Sequence, residues 1–261
     1  MRAPWLIAQR WDRLLFAHWR AEPAAVRALL PPGLEPDLWD GSAWVAIVAF
    51  VMRRTRSLHG PRLRLPPIPE LNVRTYVRVG GVPAVWFLSL DASSPLFVGV
   101  GRSLYGMNYH LSHMTTIVDG ERVHYASTRT DAAFAASYGA RGEVARVERG
   151  SLEHFLVERY RLYALRRGRL ISADVAHEPW PLQPAEADIA LNRMAPRGID
   201  LAEPPLVHFC RGVDALVSAP LPATAASSRL RRVPATKGGS RCVSPPLAEP
   251  PVARASTAFV S

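Results

Sequence analysis

The alternation of apolar and polar residues along the chain predicts a protein built mainly from β-strands. The clearest example is the segment Glu70–Val79. A period of two is typical of a strand, because successive side chains point to opposite faces. One face carries Leu71, Val73, Thr75, Val77 and Val79, and the other carries Glu70, Asn72, Arg74, Tyr76 and Arg78.

The polar face of this segment has two interpretations. In a barrel, one face of each strand points into the interior, so this face would line a ligand cavity. The alternative is an outward, solvated face, which is what most alternating strands present. The pattern alone leaves both open.

Similar patterns elsewhere predict nine further strands and four short helices. The strands are Trp11–Ala21, Ala43–Met52, Val82–Asp91, His110–Val118, Glu121–Thr130, Glu143–Arg149, Tyr160–Arg166, Arg169–His177 and Leu206–Val217. The helices are Pro23–Leu30, Pro95–Tyr105, a Ser151-capped helix to Glu158, and Pro184–Met194, with a basic loop over Arg53–Pro69. With no alternation of strands and helices, we predict a mostly β protein, an antiparallel β-barrel or bent sandwich with peripheral helices.

The chain changes character near residue 221. Beyond it the residues are mainly Ala, Ser, Pro, Thr and Arg, and such a segment buries too little apolar surface to offset its ordering entropy. We therefore predict one domain over residues 1–221 and a disordered tail over 222–261. About half of the net charge of +10 comes from this tail. No nucleic-acid-binding motif accompanies the charge, and we expect no nucleic-acid partner.

Membrane insertion and export are not indicated by the sequence. The longest apolar run, Ala43–Met52, has ten residues, whereas a membrane helix needs about 20. The first residues lack the apolar region of a signal peptide, so we expect a cytoplasmic protein. Two cysteines form no disulfide framework.

A glycine-punctuated segment, GVGRSLYGMNYH, carries the other candidate chemical groups. Tyr109 and His110 would serve as proton donor and base, or Tyr109 would simply pack in the core. The segment has neither a dinucleotide-binding nor a phosphate-binding spacing, so we predict no cofactor. His110, His113 and His124 are a weak metal pattern, because His110 and His113 point opposite ways on a strand.

Several long motifs resemble one known family. They are FAHWRAEPAAVRALLPPGLEPDLWDGSAWVAIVAF, ELNVRTYV, VWFLSLDASS, SLEHFLVERYRLYA and HEPWPLQ. In order, they resemble the YqjF-like domain-of-unknown-function family from about residue 5 to residue 221. This family is grouped with the acetoacetate decarboxylase-like superfamily, which implies a cone-shaped antiparallel β-barrel with an internal cavity.

The resemblance also implies a site and one departure from it. Glu70 matches the superfamily's strand glutamate, and Gly101, Arg102 and Gly106 match the segment that bears the catalytic lysine. The lysine that forms a Schiff base in the decarboxylase falls on Tyr109, and the only lysine of the chain is Lys237. Because tyrosine forms no imine with a carbonyl, this resemblance argues against decarboxylation by the known mechanism.

Three functions remain as hypotheses. The first is a barrel that binds a small anionic or carbonyl-containing molecule, as a monomer or a homo-oligomer. The second is an acid–base enzyme of the isomerase, dehydratase or lyase type. The third is a structural or interaction protein with a filled barrel. The predicted catalytic residues are Glu70 and Tyr109, and the predicted ligand-binding residues are Asn72, Arg74, Tyr76, Arg102 and His110.

Overall fold

The computed structural model describes residues 3–59 and 65–223. Its strands are β1 (Trp5–Ala21), β2 (Glu35–Pro36), β3 (Ala43–Ser57), β4 (Ile68–Val79), β5 (Val82–Ala92), β6 (Tyr109–Leu111), β7 (His113–Asp119), β8 (Arg122–Arg129), β9 (Ala132–Ala140), β10 (Arg161–Arg166), β11 (Arg169–Ala176), β12 (Leu182–Asn192), β13 (Leu206–Ser218) and β14 (Leu221–Pro222). The helices are α1 (Pro23–Leu29), α2 (Pro95–Tyr105) and α3 (Leu152–Val157). The prediction of a mostly β fold is confirmed.

Seven strands form a closed ring. Their order is β11-β10-β5-β4-β3-β1-β13, and β13 pairs back with β11 at Val175–Val217 and Ala176–Leu216. Most of these pairs are antiparallel, as predicted. The pairing of β10 with β5 is parallel, and so is that of β6 with β5. Ring closure removes free edges and creates an enclosed interior.

A second sheet covers one outer side of the ring. It consists of β7, β8, β9 and β12, and the start of β12 joins it to β13 at Leu182–Pro184. One hydrophobic core fills the space between the two sheets and includes Leu71, Val73 and Phe134. A second core fills the ring interior and includes Phe16, Tyr76 and Tyr109. Strand β4 is therefore buried on both faces.

Local sequence signals fix helix α2. Ser94 accepts a hydrogen bond from the Phe97 backbone N–H, and Pro95 follows it in the first turn, where proline needs no hydrogen-bond partner. The helix ends at Gly106, whose φ of 64° lies in the left-handed region. Its observed bounds equal the predicted ones.

Two predicted elements are wrong. Most of the predicted helix Pro184–Met194 is part of strand β12, because this segment pairs with β9 in antiparallel register from Ala185 to Asn192. Glu143–Arg149 forms no strand and contributes only an isolated bridge from Ala145 to Leu182. The predicted loop Arg53–Pro69 begins later, since β3 continues to Ser57, and residues 60–64 of it lie outside the described residues.

The described structure continues two residues beyond the predicted domain end at Leu221. Strand β14 pairs with β11, and the Ala223 N–H donates to the Leu170 carbonyl. The remainder of the predicted tail, residues 224–261, lies outside the described residues. Over the described part of the chain, no helix is long and apolar enough to cross a membrane.

We expect deletion of residues 224–261 to change the free energy of unfolding by less than about 0.5 kcal/mol, because their composition offers little apolar surface to bury. A shorter chain that ends at Pro220 also loses the β14 hydrogen bonds and should be about 1 kcal/mol less stable. Urea unfolding of both chains measures the difference. A large loss of stability in the chain that ends at residue 223 would mean that part of the tail packs in the core.

Candidate functional site

The interior of the ring brings Glu70 and Tyr109 together. The Tyr109 hydroxyl donates a hydrogen bond to Glu70 Oε2 over 2.7 Å. Each residue is only 5% exposed. Glu70 lies on β4, and Tyr109 begins β6, which pairs with the neighbouring strand β5 at Leu90. The two residues predicted to be catalytic thus form one buried acid–phenol pair.

The turn after α2 aims Tyr109 at Glu70. Gly101 lies so close to the Tyr109 ring that an added Cβ would be 2.3 Å from its Cδ2 atom. Arg102 Nε donates to the Tyr109 carbonyl over 2.7 Å. Phe97 contacts the ring edge-on, with centroids 5.5 Å apart. The glycine gives room for the ring, while its neighbours fix the backbone and the ring plane.

A cavity of about 90 Å³ borders this pair. Most of its walls are apolar, from strands of the ring and from helix α2. The apolar walls comprise Ile7, Trp11, Phe50, Met52, Phe87, Leu90, Phe97, Val100, Gly101, Met107, Leu162, Val175 and Val217, and the polar lining residues are Gln9, Glu70, Tyr105 and Tyr109. Few polar groups in an apolar pocket are typical of a small-molecule site.

Burial dominates the electrostatics of the pair. It raises the pKa of Glu70 to about 7, although hydrogen bonds from Tyr109 and Asn72 act in the opposite direction. The pKa of Tyr109 lies well above its ordinary value, because of burial and the adjacent Glu70. At neutral pH, Glu70 therefore exchanges readily between acid and carboxylate, while Tyr109 remains a hydrogen-bond donor.

Asn72, Arg74 and Tyr76 lie in the same ring interior but do not line this cavity. All three are buried. Asn72 acts on Glu70 by favouring its carboxylate form, which lowers the pKa of Glu70. Arg74 lies farther along β4, where its guanidinium carbon is 5.7 Å from the centre of the Phe16 ring and 5.8 Å from that of Tyr76.

Arg102 and His110 are not brought to the cavity. Arg102 is exposed, and its role is to hold the Tyr109 backbone. His110 follows Tyr109 on a strand and therefore points the other way. Burial and the nearby Arg129 lower its pKa, partly offset by Asp91. No group of metal ligands, including the imidazoles named from the sequence, occurs within residues 3–59 and 65–223.

The sequence interpretation missed the contribution of the first strand. Strand β1 begins at Trp5, six residues before the predicted start, and supplies Ile7, Gln9 and Trp11 to the cavity. Trp11 Nε1 donates to Gln9 Oε1 over 2.8 Å. The alternation Trp5, Ile7, Gln9, Trp11 was the available signal, but Gln9 and Arg10 interrupt its apolar character.

Comparison with known proteins places the fold and the family. Residues 8–214 match DUF2071, a family of uncharacterized conserved proteins. The chain belongs to the DUF2071 family. Its relative "Uncharacterized protein YqjF" of Bacillus subtilis (strain 168) is 38% identical over 218 residues, which cover 81% of this chain and 90% of that protein.

Solved structures confirm the acetoacetate decarboxylase-like fold. The acetoacetate decarboxylase of Legionella pneumophila has a TM-score of 0.59 at 12% identity and covers 83% of this chain and 87% of its own. The enduracididine biosynthesis enzyme MppR, complexed with pyruvate, has a TM-score of 0.61 at 14% identity, and the match covers 87% of this chain and 93% of MppR. An acetoacetate decarboxylase-like enzyme of Sphingomonas wittichii RW1 has a TM-score of 0.60 at 16% identity, and the match covers 86% of this chain and 95% of that enzyme. At these identities the likeness concerns the fold alone.

Proposed function

We propose that this protein binds a small carbonyl-containing molecule in the cavity beside Glu70 and Tyr109. The observation that carries the proposal is the hydrogen-bonded Glu70–Tyr109 pair, buried against an apolar cavity of about 90 Å³. Protonated Glu70 would donate to the carbonyl oxygen, while Tyr109 holds the other carboxyl oxygen. The apolar walls would enclose the alkyl groups of the ligand.

The size and polarity of the cavity select the ligand class. An apolar cavity of about 150 Å³ accommodates benzene, so 90 Å³ suits a smaller molecule with few heavy atoms. A neutral carbonyl group can accept the proton of Glu70. Among proteins of similar fold, MppR has been solved with pyruvate, itself a small carbonyl compound.

Proton transfer is the second candidate function. A general base works best when its pKa lies near the operating pH, and the pKa of Glu70 is raised to about 7. Glu70 as carboxylate would remove a proton from the carbon next to the bound carbonyl. The resulting acid would return the proton, which gives enolisation or isomerisation without an imine.

The test of binding uses the full chain with acetone, butanone, pyruvate and acetoacetate, read by ligand-observed NMR. We expect binding of at least one compound, weakening above about pH 7 as Glu70 ionises. Glu70→Gln should flatten this pH dependence. Val175→Phe, which fills the cavity, should abolish binding, whereas Val118→Phe at an exposed valine should not. Binding that survives Val175→Phe would exclude this cavity as the binding site. If none of the four compounds binds the wild type, the barrel is filled by its own side chains.

The test of turnover follows deuterium exchange at the carbon next to the carbonyl. We expect the wild type to catalyse exchange and Glu70→Gln to lose about 100-fold or more. Tyr138→Phe is the control, because it alters a polar group away from the cavity and removes only the partly buried hydrogen bond to the Arg13 carbonyl. Binding without exchange would favour a binding protein over an enzyme.

We also expect that borohydride will not trap a keto acid on any residue from 3 to 59 or from 65 to 223. An imine requires a neutral primary amine, and no lysine occurs in these ranges. Tyr109→Lys places one beside Glu70, and reduction with acetoacetate should then label position 109. Peptide mass spectrometry reads both results. A reduced adduct at an internal wild-type residue would contradict the prediction.

A further inference from the structure

A second polar cluster lies in the ring interior, around Tyr76. His18 and Arg74 flank Tyr76, with the His18 and Tyr76 ring centroids 6.4 Å apart. His208 contacts His18 edge-on at 6.2 Å. Each of these four side chains is at most 9% exposed. None of these four residues lines the cavity beside Glu70.

The cluster leaves its hydrogen-bonding groups unsatisfied. Both ring nitrogens of His18, Arg74 Nε, the Tyr76 hydroxyl and His208 Nδ1 are buried and find no hydrogen-bond partner among the described residues. Leu206 and Arg74 contribute weak hydrogen-bonding interactions to His18 and Tyr76, respectively, but these fall short of hydrogen-bond geometry. Buried polar groups are nearly always satisfied, and an unsatisfied one costs about 1–3 kcal/mol.

The same region carries an excess of positive charge. Within the described residues, no carboxylate lies within 4.0 Å of Arg74, whose one hydrogen bond goes to the Leu156 carbonyl over 3.3 Å. Arg159 also lies over the Tyr76 ring, but it shares the single carboxylate of Asp37 with Arg78. A buried cation without a counter-charge is costly, so this cluster calls for an anion.

The strand register places a small residue between the polar side chains of the cluster. Ala46 on β3 lies directly opposite both His18 on β1 and Arg74 on β4. Adjacent strands are about 4.8 Å apart, so two long polar side chains stand about 10 Å apart at the backbone with only a methyl group between them. Ala46 therefore separates His18 from Arg74, and the Tyr76 ring lies beside both of them.

We propose that the space above Ala46, bordered by His18, Arg74 and Tyr76, binds a small carboxylate such as formate or acetate. A planar carboxylate offers several lone pairs, which suits an arginine fork together with a phenolic and an imidazole donor. Arg74 lies four positions after Glu70 on β4, about 13 Å along the strand. This anion site is thus distinct from the carbonyl site and does not depend on it.

His208 marks the route of entry. Besides contacting His18, it lines an outer groove of about 590 Å³ between α3, β12 and β13. Because this one side chain borders both the groove and the cluster, we expect its rotation to open a path between them. Glu153, which lines the same groove, is the acidic group that acts on His208.

The test titrates sodium formate and sodium acetate into the full chain at constant ionic strength, with chloride as the balancing ion. For a Kd of about 1 mM, 100 mM carboxylate should raise the melting temperature by about 5–10 °C, with saturation. Calorimetry should give one anion per chain. No saturable effect of either carboxylate would overturn the proposal.

Four variants test whether the carboxylate effect arises at these side chains. Arg74→Met should abolish the carboxylate effect. Ala46→Val should also abolish it, although this change removes no polar group. Tyr76→Phe should weaken binding about 10-fold. Arg211→Met, at an exposed arginine, should keep the effect. Should Arg74→Met not fold, the Ala46 and Tyr76 variants decide. Unchanged affinity in both would overturn the proposal, and loss of it in Glu70→Gln would contradict the separation of the two sites.

Discussion

Replacing Gly101 with alanine is expected to destabilise the protein by about 2–3 kcal/mol and to abolish ligand binding at the Glu70 site. The new Cβ would lie 2.3 Å and 2.5 Å from two atoms of the Tyr109 ring. The ring cannot move away freely, because the Tyr109 hydroxyl is hydrogen-bonded to Glu70 and the Tyr109 backbone carbonyl is hydrogen-bonded to Arg102. Overpacking of this kind typically costs about 1–3 kcal/mol.

The same helix provides a matched control for Gly101→Ala. Gly99 also lies in α2, but an added Cβ there has nothing within 4 Å. Gly99→Ala should stabilise the protein by up to about 1 kcal/mol, because alanine favours a helix over glycine. Urea unfolding gives both values, and their opposite signs isolate the contact with Tyr109. Equal, small effects would mean that α2 does not press on the ring.

Local signals made helix α2 and strand β4 predictable. Ser94, Pro95 and Gly106 mark both ends of the helix, and the period-two alternation marks the strand. The pairing of Glu70 with Tyr109 joins residues 39 positions apart, and no local pattern specifies such a contact. The family resemblance supplied it, since it matched Glu70 and Tyr109 to two positions of one known site.

The errors arise where short segments allow two periodicities. In residues 185–191, Ala and Glu favour a helix by propensity, while Ala, Ile and Leu at alternate positions suit a strand. The available pairing partner decides for the strand, because β9 offers an antiparallel edge along Ala132–Ala140. That edge was itself missed, since its run of alanines carries little β propensity.

Burial of the polar face of β4 was equally open in the sequence. A strand with one polar face usually has solvent on that side. Here ring closure encloses that face, and the second sheet covers the other. Composition also fails to separate Arg74, which is buried, from Arg102, which is exposed. Only the three-dimensional arrangement distinguishes a candidate anion ligand from a structural contact.

Glu70 is expected to make the protein less stable as the pH rises from about 5 to about 8. Burial raises its pKa from the ordinary value of 4.5 to about 7. In this range the folded protein keeps a proton that the unfolded chain has lost, so rising pH favours unfolding. The difference corresponds to about 3 kcal/mol at pH 8 relative to pH 4, since a tenfold change in proton affinity is about 1.36 kcal/mol.

The variant Glu70→Gln isolates this effect. Buried histidines act in the opposite sense, because burial lowers the pKa of His18, His177 and His208 and their stability contribution grows as pH rises. The difference between wild type and Glu70→Gln cancels them. We expect Glu70→Gln to gain about 3 kcal/mol over wild type between pH 4 and pH 8, measured by urea unfolding at each pH.

Two further variants make this pH prediction specific to the buried pair. Tyr109→Phe removes the hydrogen bond that stabilises the Glu70 carboxylate, so the loss of stability should extend to higher pH. Glu186→Gln changes an exposed glutamate and should keep the wild-type pH dependence. If the difference between wild type and Glu70→Gln is constant across this range, Glu70 has an ordinary pKa. The acid–base function proposed for it would then lose its physical basis.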